Sequence, residues 1–187
     1  MELGPGDHVL EVPWTSSDGS LRYYDLRLHP ELIEKIPEAT ANPSLKEFLV
    51  GVNRDSIFQS AKCDVWFSKE ADPEEVIYGS CKFGCYVDLF VPEQATDSDM
   101  RLSFEAHERM LKRLTGHLNS EKEIPASAEF VLRRCYFHQQ AVEHEALYIT
   151  LYVFGYGDDE AESRLNWRQA MEIVRHVLLP SSLNIRC

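Results

Sequence analysis

The stretch Glu145-Ala146-Leu147-Tyr148-Ile149-Thr150-Leu151-Tyr152-Val153-Phe154-Gly155-Tyr156-Gly157 decides how the chain is read. Leu147, Ile149, Leu151 and Val153 share one face of an extended chain, and Tyr148, Thr150, Tyr152, Phe154 and Tyr156 share the other. A helix would scatter these residues around its axis, so the alternation predicts a strand with one aliphatic and one aromatic face. Gly155 and Gly157 end it. Asp158-Asp159-Glu160 then places negative charge where a helix N-terminus favours it. Trp167, Ala170, Met171, Val174, Val177 and Leu178 follow at helical spacing as one buried stripe, and Pro180 stops the helix.

Upstream, Ala128 to His138 is a second extended run, joined to the first through the polar Gln139 to His144, so the two predict a long hairpin. Before it, Met100, Phe104, His107, Leu111, Leu114 and Leu118 form the stripe of a long amphipathic helix capped by Asp97-Ser98-Asp99. Lys62 to Ser68 reads as a strand, with Cys63, Val65 and Phe67 on one face and Trp66 on the other, followed by an acidic loop over Lys69 to Glu75. Val76 to Val91 is either one long strand with a bulge or a hairpin turning at Lys82-Phe83-Gly84. Leu45, Phe48, Leu49 and Val52 predict a helix after Asn42-Pro43-Ser44, and Pro30 starts one or two helical turns bounded by Pro37 and Pro43. At the start, Asp7 to Trp14 and Leu21 to Leu28 flank Asp18-Gly19 and predict a hairpin.

The order is strands in runs punctuated by helices, which predicts the α+β class: a single antiparallel sheet built from hairpins, with two long amphipathic helices packed on one face. No repeat or linker interrupts it. One domain over 1–187 is expected, with 1–43 as an N-terminal hairpin and short helical segment and 44–187 as the main core. From Ser44 onward the order helix, strands, helix, two strands, helix is similar to that of small acidic secretion chaperones, a likeness of topology that carries no shared motif.

Composition narrows the function classes. A net charge of −12, from 31 acids against 19 bases, repels a phosphate backbone, so nucleic acid is not an expected partner. The charge is uneven: 18 acids and 8 bases up to residue 97, then 13 acids and 11 bases. Between positions 100 and 137, seven cations from Arg101 to Arg134 outnumber the acids, which reads as a solvated helix face. No apolar run reaches a membrane span, and Met1 to Pro13 has no secretory pattern, so no membrane partner and a cytoplasmic location are expected. Cys63, Cys81, Cys85, Cys135 and Cys187 read as reduced, mostly buried thiols.

Catalytic motifs are missing: there is no GxSxG, GxxxxGK[ST], GxGxxG or HExxH, so no catalytic residue and no cofactor is named. Cys81 and Cys85 lie about 13 Å apart in a continuous strand, and only a hairpin there would bring them together. A zinc site through Cys63, Cys81, Cys85 and Cys135 would need such folding, as those cysteines lack paired CxxC spacing. His138 and His144, with Glu143 and Glu145, bracket a hairpin tip, which would set the imidazoles opposite each other; His107 reads as a core histidine. The GxG of Gly155 and Gly157 has the context of a phosphate loop, but three acids follow it. The aromatic face of Tyr148, Tyr152, Phe154 and Tyr156 is the candidate binding surface, unless it packs on the N-terminal hairpin with Trp14, Tyr23 and Tyr24. The expected function is therefore a non-catalytic interaction or adaptor domain, chaperone-like or homodimerising, with a protein partner or a second copy of itself. The alternative is a small-molecule-binding protein or small enzyme with a pocket between sheet and helices, walled by His107, Cys135 or His138.

Overall fold

The structure, a computed structural model, describes residues 10–70, 78–92, 104–119, 123–139 and 142–179. The alternating stretch is strand β5 (Val142–Gly157), paired antiparallel to β4 (Ala126–Gln139) on one side and to β3 (Cys81–Phe90) on the other. Strand β2 (Gln59–Ser68) continues from β3, and β1 (Leu10–Val12) adds to β4, for the order β1-β4-β5-β3-β2. Four α-helices surround it among the described residues: α1 (Pro37–Ala41), α2 (Pro43–Asp55), α3 (Phe104–Leu118) and α4 (Glu160–Leu178), with a 3-10 turn at Pro30–Lys35. No helix among the described residues is long and apolar enough to cross a membrane.

The expected single antiparallel sheet is corrected. The sheet is mixed, because β1 runs parallel to β4 with Leu10 beside Cys135 and Val12 beside Phe137, and it is nearly closed into a barrel. Chain after β1 spans the gap to the far edge: the Trp14 indole Nε1 donates to the Ala61 carbonyl of β2 at 2.9 Å, and Gln59 Nε2 donates to the Tyr23 hydroxyl. The Arg27 guanidinium adds two bonds, to the Ser56 carbonyl at 2.6 Å and the Phe58 carbonyl at 2.9 Å.

The N-terminal hairpin is correspondingly reduced. Its turn exists, with Asp18 accepting from Ser16, Ser20 Oγ and Ser20 N, but among the described residues only the isolated bridge Thr15–Arg22 pairs the arms. Before that bridge the first arm belongs to the main sheet, where β1 pairs with β4. Asp7 to Val9 lies outside the described residues.

The aliphatic face of β5 and its counterparts Phe83, Cys85, Val87 and Leu89 of β3 form the main core. Three helices cover that face rather than two. Leu45, Phe48, Leu49 and Val52 come from α2, Leu111 and Leu114 from α3, and Trp167, Ala170, Met171, Val174, Val177 and Leu178 from α4. Residues 97–103, which carry the expected cap of α3, lie outside the described residues.

Helix α4 starts as its acids predict. Asp159 caps it by accepting from Glu162 N at 2.9 Å, and the Glu162 carboxylate accepts from Asp158 N at 2.8 Å. Gly155 explains the GxG: a Cβ there would lie 2.1 Å from Trp167 N and 2.3 Å from Ser163 O. The glycine lets the helix backbone press against the strand, which is a packing duty.

Between Cys81 and Phe90 the backbone is one continuous strand, so there is no turn at Lys82-Phe83-Gly84. The irregularity falls in β2, where pairing slips between Ser60 and Cys63 and a bulge faces Asp88.

Candidate functional site

The four aromatic side chains expected to form one surface are divided by the fold. Tyr148 is 3% exposed and belongs to a second cluster with Leu10, Val12, Phe90, Cys135 and Ala146, roofed by Trp14 and Tyr23. Tyr156 is 2% exposed, bonds Ser127 through its hydroxyl at 2.9 Å and lies against the Tyr78 ring. Tyr152 and Phe154 are half-buried and reach the surface.

Those two are joined by rings from the neighbouring strands. Trp66 of β2 meets the Phe154 ring edge-on at 5.8 Å, Tyr86 of β3 lies 6.2 Å from Tyr152, and Tyr152 stacks on Phe154 at 6.2 Å. Trp66 and Tyr86 close the set at 6.4 Å. Gly84 makes room for it, because a Cβ there would lie 2.6 Å from the Phe154 ring. Lys82 caps the patch with its ammonium 5.3 Å from the Phe154 centroid. A signal for Trp66 was present, since it faced away from Cys63, Val65 and Phe67. That β3 and β5 are neighbours had no local signature.

Between the roofed and open halves sits a polar pair. Asp88 is 5% exposed and accepts from Thr150 Oγ1 at 2.7 Å. Burial pushes its carboxyl up to about 6, against the pull of that bond and of Lys62 and Arg133. Burial likewise raises Tyr86 and Tyr148, the latter to about 12, so neither phenol ionises near neutrality.

Cys63 and Cys85 lie diagonally across β2 and β3, and the other described cysteines do not join them. Cys85 lies in the main core, accepts from the Trp167 indole at 3.3 Å, and burial pushes its thiol up to about 12. Cys135 lies in the second cluster on the opposite sheet face and is also raised to about 12, and burial raises Cys63 as well. Cys81 begins β3, four residues along the same strand from Cys85. The zinc grouping is therefore not assembled, and no set of three or more metal-ligating side chains occurs among the described residues. Cys187 lies outside the described residues.

His107 is 2% exposed within α3. The register pairs His138 with Glu143 and Phe137 with His144, so the two histidine positions fall in adjacent cross-strand pairs and not in the same one. A cavity of about 60 Å³ lies between the N-terminal turn, α1 and the β2 bulge, with Trp14, Arg22, Tyr24, Lys35, Glu38 and Lys62 in its wall. His107 and Cys135, expected at a pocket wall, do not line it. Among known proteins, no family model, no curated protein and no solved structure matches this chain.

Proposed function

We propose that the chain is a non-catalytic interaction domain whose open aromatic patch, Trp66, Tyr86, Tyr152 and Phe154, receives a protein partner or a second copy of itself. The observation that carries this is the half-buried cluster of four rings across three adjacent strands, on the sheet face opposite the helices. Rings of this kind bury much area at low rotamer cost, which is why they anchor interfaces. The rim supports a polar, charge-selective partner: Asp64 and Glu129 are exposed beside it, and Lys82 is the cation on it. A chain of net charge −12 favours a basic partner by long-range attraction.

Light scattering across a range of protein concentrations tests the reading. Self-association through the patch gives a mass above 21.5 kDa that rises with concentration and falls to the monomer value in Tyr152→Glu. For a heterologous partner, Tyr152→Glu abolishes co-elution while the melting temperature holds. A monomer at every concentration, with partner co-elution unchanged in Tyr152→Glu, overturns the proposal.

A further inference from the structure

The cavity at the β2 bulge differs in chemistry from the aromatic patch. Three cationic residues line it from three parts of the chain: Arg22 from the N-terminal turn, Lys35 from the end of the 3-10 turn and Lys62 from the bulge. Elsewhere on this acidic molecule Lys46, Arg54, Arg134 and Arg175 each find a carboxylate. Among the described residues Arg22, Lys35 and Lys62 form no salt bridge, although Lys62 interacts electrostatically with the buried Asp88, and Glu38 is the acid in the cavity wall.

Two of these cations are held on aromatic faces. The Lys62 ammonium lies 4.9 Å from the Trp14 ring centroid and the Arg22 guanidinium 5.8 Å from that of Tyr24. The Trp14 ring is itself fixed by its indole bond to the Ala61 carbonyl, in the bulge that carries Lys62. Bulges re-aim side chains, and here the slip brings Lys62 to the wall next to Cys63. The Cys63 thiol, raised by burial and by Glu38, stays protonated, so the wall offers charge and hydrogen-bond donors without a nucleophile.

We propose that this cavity binds a phosphate group. Even with Glu38 in the wall and the buried Asp88 drawing on Lys62, the three cations leave the wall positive, and they offer donors from three directions, which the several oxygens of a phosphate can use together and a single carboxylate cannot. About 60 Å³ holds roughly two water molecules and suits one small oxyanion, with any larger substituent projecting through the open side. Arg22 and Lys62, braced on rings, lose less freedom on binding than unsupported side chains would.

Calorimetric titration of the full chain with inorganic phosphate and with phenyl phosphate, at ionic strength held constant with sodium chloride, tests this. Saturable binding of one equivalent is expected from at least one probe: inorganic phosphate alone if the ion is sufficient, phenyl phosphate alone if an ester is required. Lys62→Gln and the more exposed Arg22→Gln should each weaken it at least tenfold, with the phosphate-free melting temperature as the check that both fold. Lys112→Gln, on α3 away from the cavity, should leave binding unchanged. Failure of both probes to saturate the wild type overturns the proposal, as does equal weakening by Lys112→Gln. Neither result bears on the aromatic patch, none of whose four rings lines the cavity.

Discussion

Replacing Asp88 by Asn should change the way stability depends on pH. Asp88 is 5% exposed, its carboxyl is pushed from 3.8 to about 6 mainly by burial, and its nearest fixed partner is the Thr150 hydroxyl. A carboxyl with a raised folded-state value binds its proton more tightly in the native protein than in the unfolded chain. Stability therefore falls as pH rises, from about 4 up to about 6, and stays low above that. At 1.36 kcal/mol for each tenfold change in proton affinity, the rise from 3.8 to about 6 corresponds to about 3 kcal/mol, most of which falls between pH 4 and pH 7.5. Asn keeps the acceptor for Thr150 but cannot ionise. Urea unfolding of both proteins at several pH values, followed by tryptophan fluorescence, isolates the effect, since every other titrating group is common to both. The stability of Asp88→Asn relative to wild type should climb by about 2 kcal/mol from pH 4 to pH 7.5. An added unpaired Asn donor would offset the two curves by a constant and leave that slope intact. A difference that does not vary with pH would refute the reasoning.

Other outcomes follow from the same contacts. Gly155→Ala should cost about 3 kcal/mol or more or prevent folding, read as a lost or lowered urea midpoint, because its Cβ would collide with the α4 backbone rather than with a movable side chain. Trp167→Ala should cost about 3 to 5 kcal/mol, since it empties a 1% exposed site and leaves the Cys85 and Phe83 contacts unmade. Asp159→Ala should cost about 1 kcal/mol by removing the α4 cap, with no change in oligomeric mass. Tyr152→Glu should leave the melting temperature within a few degrees of wild type, as Tyr152 is half-buried at the surface, whereas Tyr148→Glu should unfold the second cluster.

The elements were legible in the sequence because their causes are local. The two-residue period from Leu147 to Val153, the helical stripe from Trp167 to Leu178, the acids before α4 and the prolines at Pro30, Pro37 and Pro43 each act within one or two turns of chain. The choice between a bulged strand and a hairpin at Cys81 to Cys85 was not local. It was settled by β5, which pairs with β3 residue by residue from Gly157 to Tyr148 and leaves no room for a turn.

The candidate surface shows the same division. Alternation alone determined that Tyr148, Tyr152, Phe154 and Tyr156 share a face. Tertiary structure decided which of them meet solvent, because β1 joined β4 in parallel and the chain after it folded over Tyr148. Gathering Trp66 and Tyr86 around Phe154, and Arg22, Lys35 and Lys62 around the bulge, likewise required strand order and the closing of the sheet. Periodicity records which way a side chain points from its own strand. It holds no information about which strand lies next to it, since that is decided by the fit of whole faces brought together from distant parts of the chain.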